Sequence, residues 1–255
     1  MMLFDLSAKV AVITGASRGI GKSIALAMAQ AGANVVISSR KLTACQAVAD
    51  EISARFDGRR ALAVEANISS KKDLGLLVQA AIDAFGRLDC VVCNAASSPY
   101  FGPLAGISDE LFRKTLDNNV LSINWLVQFS TPELQRAGGG SIIIVSSVEG
   151  FRGSSTIGAY SISKAADMQL ARNLAVELGP HNIRVNCIAP GLIRTDFAKA
   201  LWEDPATRAR YEAMTAVGRL GEPHEIAGCA VFLAAPAGSY TTGQTFTIDG
   251  GMMVS

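Results

Sequence analysis

Val10-Ala11-Val12-Ile13 offers water no polar side chain on either face, and a strand of that kind is stable only where both faces are covered. Comparable runs return along the chain, placing expected strands at 10–14, 34–38, 61–65, 90–94, 141–146, 184–189 and 245–248. Between them apolar residues recur at spacings of three and four, which predicts helices over 20–31, 42–55, 71–85, 111–136, 159–178 and 222–233. Strands alternating with helices, and apolar on both faces, predict an α/β fold: a doubly wound, mainly parallel seven-stranded Rossmann sheet with helices on both faces.

No composition shift, repeat or low-complexity tract divides the 255 residues, so one domain over 1–255 is expected. The longest stretch outside the alternation runs from Gly191 to Gly221. It reads as an insertion over a site, a substrate lid near 191–221. The 23 Lys plus Arg against 22 Asp plus Glu leave a net charge of +1 with no basic block, which argues against nucleic acid and anionic membrane as partners. A small neutral or amphiphilic molecule is the expected substrate.

The chain has five cysteines, an odd number, and neither a signal segment nor a run of 18 apolar residues. Together these features point to a soluble, reducing compartment. Cys90-Val91-Val92-Cys93 has the spacing of a redox pair, but on a strand residues three apart face opposite sides, so structural cysteines are expected. No metal site is expected.

The first expected strand ends at Thr14, and Gly15, Gly19 and Gly21 punctuate the turn into the next helix. Small residues there let backbone N–H groups and the positive helix end approach a pyrophosphate. After the second strand, Ser38-Ser39-Arg40-Lys41 lacks the acid that would accept hydrogen bonds from a ribose. Arg40 and Arg18 suit a 2′-phosphate instead, with Ser39 as a further donor, so NADP(H) is expected. Asn94, at the end of the fourth strand, is placed to bridge backbone groups, and the adjoining small residues permit a close cofactor approach. Asn119 sits inside a helix, where an amide is intrinsically disfavoured.

Tyr160 and Lys164 are four residues apart on one expected helix. That spacing puts a phenol beside an ammonium, which favours the phenolate and suits Tyr160 to acid–base work. Ser147, at the end of the fifth strand, is 13 residues earlier, near enough for its hydroxyl to hold a carbonyl oxygen.

Thr14-Gly15-Ala16-Ser17-Arg18-Gly19-Ile20-Gly21, Asn94-Ala95-Ala96, Asn119, Ser147, Tyr160-Ser161-Ile162-Ser163-Lys164 and Pro190-Gly191-Leu192-Ile193-Arg194-Thr195 follow one another in an order that resembles the short-chain dehydrogenase/reductase family. The resemblance spans essentially the whole chain. It implies a catalytic tetrad of Asn119, Ser147, Tyr160 and Lys164. Tyr160 would be the general acid in carbonyl reduction, Lys164 would also hold the nicotinamide ribose, and Asn119 would support a water linked to Lys164. NADP(H) would be bound by Gly15, Ser17, Arg18, Gly19, Ile20, Gly21, Ser39, Arg40, Asn67, Ile68, Asn94, Ala95, Tyr160, Lys164, Pro190, Gly191, Ile193 and Thr195. Two departures stand out: Ala96 where the family commonly has glycine, and Asn67 where it commonly has aspartate.

Ser38-Ser39-Arg40-Lys41, Pro99-Tyr100-Phe101-Gly102 and Leu201-Trp202 bring the chain closer to NADP-dependent carbonyl reductases of the peroxisomal dehydrogenase/reductase group and their bacterial relatives. Gly251-Met252-Met253-Val254-Ser255 is unlike a peroxisomal signal, so cytoplasm is the expected location. Ser147, Tyr100, Phe101, Phe197 and Trp202 are expected around the substrate, a hydrophobic ketone or aldehyde, or the corresponding alcohol. The alternatives are a 3-oxoacyl thioester reductase and a non-catalytic NADP-binding regulatory or structural protein. The resemblance further implies a homotetramer or homodimer.

Overall fold

The structure is a computed structural model, and it describes residues 2–56 and 60–254. Met1 and Ser255, the ends of the stretches read above, lie outside the described residues. Seven strands form one sheet: β1 (Val10–Thr14), β2 (Asn34–Ser39), β3 (Ala61–Glu65), β4 (Cys90–Cys93), β5 (Gly140–Val145), β6 (Ile183–Pro190) and β7 (Thr245–Ile248). Their order is β3-β2-β1-β4-β5-β6-β7, and every neighbouring pair is parallel.

The layers follow from the two-faced strands. On one side, Ala11 and Ile13 pack with α1 (Gly19–Gln30), α2 (Leu42–Arg55) and α9 (Pro223–Ala234). On the other, Val12 packs with α3 (Lys71–Phe85), α5 (Ser122–Arg136) and α6 (Gly158–Leu178). Val10, Val12 and Ile13 are at most 1 % exposed, and fully burying a side chain of that size contributes about 1.5–3 kcal/mol. At the opening edge of the sheet, Asp89 accepts hydrogen bonds from Lys9, Arg87 and the Val10 N–H, fixing β4 beside β1.

Cys90 joins the first of these cores and Cys93 the second, so the two thiols do face opposite ways. Burial pushes the Cys90 and Cys187 thiols up to about 12, which leaves them neutral and unreactive. Among the described residues, all five cysteines are free, and no helix is long and apolar enough to cross a membrane.

Three expectations need correction. The helix expected over 111–136 begins earlier, as α4 (Asp109–Leu116), because Ser108 caps it by accepting from the Leu111 N–H. It then widens into a π-helical segment, Asp117–Leu121, before continuing as α5. The stretch 191–221 holds two helices the periodicity did not reveal, α7 (Lys199–Trp202) and α8 (Pro205–Ala213). Asp204 starts α8 by accepting from the Thr207 N–H at 2.7 Å, with Pro205 at the first helical position. The base of that stretch is closed by an Ile193–Gly221 bridge, with the Arg194 N–H donating to Gly221 O.

β1 and β4 are neighbours although the chain winds outward from them in opposite directions. In an open α/β sheet, the carboxyl ends of such a pair leave the crevice where ligands bind.

Candidate active site

The turn after β1 is shaped by contacts that exclude side chains. Gly15 has φ +64°, and a Cβ on it would stand 2.9 Å from Asn94 Nδ2; one on Gly21 would stand 2.4 Å from Gly15 O. Asn94 occupies that space: its Nδ2 donates to Thr14 O at 2.9 Å and Gly15 O at 3.2 Å. Thr14 Oγ1 accepts in turn from the Asn94 and Ala95 N–H groups. The bridging expected of Asn94 is therefore present, and it clamps the β1 turn to the end of β4.

At the start of α1, Arg18 gives no side-chain cap, and the first turn has no acid. The helix presents its amide N–H groups and positive end to an incoming anion. Ser17, Gly19 and Ile20 are partly buried around this turn. Arg18 is exposed and pairs with Asp196 at 3.1 Å. Thr195 comes down beside Gly19, where a Cβ would sit 3.3 Å from Thr195 Cγ2.

Ser39 ends β2, accepting from the Lys41 N–H and contacting Cys45 Sγ at 3.1 Å. Arg40 beside it is exposed and has no ion pair among the described residues. Asn67 follows β3, its Oδ1 accepting from the Ser69 N–H, and Ile68 packs at the core's margin. Pro190 and Gly191 close β6, and Ile193 is 5 % exposed beneath the 191–221 stretch.

The π segment sets Asn118 and Asn119 facing inward. Asn119 Nδ2 donates to Ser97 O and to Ser163 Oγ, both at 2.9 Å, and its Oδ1 accepts from the Ser97 N–H. Ser163 Oγ donates on to Tyr160 O at 2.7 Å. Asn119 thus ties the end of β4 to α6 one residue before Lys164. Asn118 extends the chain, accepting from Ser69 Oγ and donating to Ser97 Oγ.

Lys164 is 2 % exposed, and its Nζ lies 5.6 Å from the Tyr160 ring centre. It donates to Val145 O at 3.0 Å and to Asp167 Oδ2 at 2.9 Å. Burial alone would push this ammonium down, but Asp167 and Tyr160 outweigh that, and it stays above its ordinary value and charged. For Tyr160, burial raises the phenol, Lys164 and a Ser147 hydrogen bond oppose it, and Asp167 and Glu149 add to the rise. The net direction is upward. Lys164 does favour the phenolate, as the helical spacing implies, but burial and the two carboxylates overrule it in the free protein.

Phe197 lies over Tyr160 with ring centres 6.1 Å apart. Trp202 donates its Nε1–H to Thr195 O at 2.8 Å, which pins the 191–221 stretch near the glycine turn. Tyr100 turns its hydroxyl to Pro103 O, and Phe101 is 70 % exposed. Their loop reaches the site through the Gly102 N–H, which donates to Thr156 O just before α6.

The sequence reading passed over Asp167, Asn118, Ser97 and Ser163. For Asp167 the sequence offers only a spacing, an acid three residues beyond Lys164, and that spacing does not say that it is buried.

Comparison with known proteins adds the following. The family described as enoyl-(acyl carrier protein) reductase matches residues 15–253. Dehydrogenase/reductase SDR family member 4 of Oryctolagus cuniculus is 41 % identical over 246 residues, covering 96 % of this chain and 94 % of its own. A solved 7α-hydroxysteroid dehydrogenase, complexed with NADH and 7-oxo glycochenodeoxycholic acid, superposes with a TM-score of 0.93 at 39 % identity, covering 97 % of this chain and 95 % of its own. A Beutenbergia cavernae structure, described as an NAD(P)-dependent gluconate 5-dehydrogenase with NADP bound at low occupancy, gives 0.92 at 34 % identity, with 99 % of each chain covered.

Proposed function

The chain belongs to the short-chain dehydrogenase/reductase family of oxidoreductases, and from that premise we propose that it is an NADP(H)-dependent reductase of apolar ketones or aldehydes. One observation carries the reading: Tyr160, flanked by Lys164 and Ser147, stands at the sheet edge that also holds an uncapped helix N-terminus behind a glycine turn.

The residues present fit the cofactor. The Gly15–Gly21 turn and the first turn of α1 would hold the pyrophosphate, Arg40 and Ser39 the 2′-phosphate, and Lys164 the ribose. Ile193 and Thr195 would meet the carboxamide. When bound, the dihydronicotinamide supplies a hydride to the carbonyl carbon. Tyr160 gives its phenolic proton to the carbonyl oxygen, and Ser147 orients that oxygen by donating a hydrogen bond. Lys164, charged, stabilises the phenolate left behind. Asn119 fixes the backbone of α6 beneath them through Ser163. A phenol is in its acid form at neutral pH, the form reduction consumes, and the upward direction of Tyr160 extends that form to higher pH.

Phe197 over Tyr160 supports an apolar substrate, because burying unpaired hydroxyls against a ring is costly. The 7-oxo steroid acid bound by the dehydrogenase neighbour is a ketone of that class. A second reading is a 3-oxoacyl thioester reductase; the matching family's description shares with it the acyl carrier protein, though the reaction it names is on a carbon–carbon double bond. Exposed Leu121, Ile162 and Val176 suit a further proposal, assembly as a homotetramer or homodimer.

Steady-state rates with NADPH and NADH on an alicyclic ketone, a sugar and a 3-oxoacyl thioester test the proposal. The alicyclic ketone with NADPH should be the fastest combination. Arg40→Ala should weaken NADPH by about 10-fold or more while barely changing NADH, since charge-assisted hydrogen bonds contribute about 1.5–3 kcal/mol. Equal losses would place the 2′-phosphate elsewhere, and preference for the thioester would select the second reading.

A further inference from the structure

Asp167 has no part in the chemistry above, and its position is hard to explain by packing. It lies one turn beyond Lys164 on α6 and is 0 % exposed. Its Oδ2 accepts from Lys164 Nζ at 2.9 Å, while Oδ1 has no hydrogen-bond partner among the described residues. An apolar residue in its place would leave the buried Lys164 ammonium without its carboxylate, so the side chain is there for that ammonium, at the cost of one bare oxygen. Beyond Asp167 the buried residues of α6 are apolar, among them Met168, Ala171 and Leu174, and the charge it meets is that of Lys164.

The ammonium it holds lies 2.9 Å from Asp167 Oδ2 and 5.6 Å from the Tyr160 ring centre. The other titratable groups facing this cluster are Glu149 from the turn after β5, Cys93 from β4 and Cys187 from β6. Burial keeps both thiols neutral, and Glu149 is bonded to Arg152. Among the described residues, Asp167 is the one carboxylate touching Lys164.

We propose that Asp167 is a positioning residue that holds the Lys164 ammonium at the floor of the site and divides its positive charge with Tyr160. For its effect on turnover this rests on the function proposed above; its electrostatic effect is measurable without substrate. Burial pushes the Asp167 carboxyl up and the Lys164 ammonium opposes that; with the pair ionised, the Tyr160–Lys164–Asp167 unit is neutral while the phenol keeps its proton, and losing that proton creates a buried net negative charge. Without the carboxylate, and with the ammonium still held by Val145 O, the same unit starts at one positive charge and becomes neutral when the proton leaves. The proton therefore leaves at lower pH, and Lys164 acts on Tyr160 alone. Asp167 thus keeps Tyr160 in its acid form over a wider pH range, which biases the site toward carbonyl reduction.

The test is the ultraviolet phenolate titration of the free protein, with Tyr160→Phe variants subtracted to isolate one phenol among the four tyrosines. In Asp167→Asn, which is nearly isosteric, the Tyr160 midpoint should fall by at least about one pH unit. In Asp167→Glu, which keeps the charge, it should stay near the wild-type value. The upper pH limit of carbonyl reduction should move down with it in the Asn variant. A residue that merely stabilises the fold would lower the melting temperature and leave the midpoint in place. An unmoved or raised midpoint in Asp167→Asn overturns the proposal.

Should the Asn variant not fold, the wild-type midpoint decides. A value at or above the ordinary tyrosine value of about 10 is expected, and one well below it would show that Lys164 is not shared. A lowered midpoint in a protein that reduces no carbonyl would sink the function and leave this inference standing. An active enzyme with an unmoved midpoint would do the reverse.

Discussion

Tyr160→Phe should lower the rate of carbonyl reduction by at least about 100-fold, about 2.7 kcal/mol of barrier, while NADPH still binds. The substitution keeps the aromatic ring that faces Phe197 and removes only the hydroxyl, so the ring packing is retained and the loss reports on the proton. Ser147 remains to hold the carbonyl oxygen, but an aliphatic hydroxyl is a far weaker acid than a phenol and does not replace the proton Tyr160 gives. Single-turnover rates with saturating NADPH check this directly. A variant that reduces substrate at near wild-type speed would remove Tyr160 from the chemistry.

Gly21→Ala should weaken NADPH binding by at least about 10-fold, about 1.4 kcal/mol. The added Cβ would meet Gly15 O at 2.4 Å and Asn94 Nδ2 at 2.5 Å. Neither can yield cheaply: the first is backbone in a left-handed turn, and the second is held by two carbonyls at the end of β1. Relief has to come from lifting α1 away from the turn, which displaces the N–H groups offered to the pyrophosphate. Isothermal titration calorimetry with NADPH measures the loss, and unchanged affinity would mean that this turn does not carry the phosphates.

Most of the fold was legible because β1 and its parallel partners are apolar on both faces, a pattern few architectures satisfy. The residues set at the carboxyl edge were legible for a related reason: Asn94, Ser147 and Pro190 each stand at or next to the end of an apolar run. The π segment at Asp117–Leu121 was not. Its register depends on Asn118 and Asn119 finding Ser69, Ser97 and Ser163, partners distant in sequence, and local periodicity carries no record of them. α7 and α8 escaped because their faces are half-exposed and weakly patterned, although Asp204-Pro205 carried a start signal. Asp167 was missed for a different reason. An acid on a helix is ordinarily solvated, and only the structure shows it buried against Lys164.

The upward direction of Tyr160 in the free protein is likewise a tertiary effect. The helix spacing reveals the ammonium that lowers the phenol, but the desolvation that raises it comes from elements packed around α6. Local sequence therefore identifies the acid and the ammonium beside it, but carries no record of the burial that opposes that ammonium.

The most direct measurement of the central claim is a single turnover of wild-type protein with an alicyclic ketone and NADPH carrying deuterium at the transferring position, followed by mass spectrometry of the product. The account predicts one deuterium on the carbinol carbon of the alcohol. Absence of the alcohol, or an alcohol without the label, would contradict it.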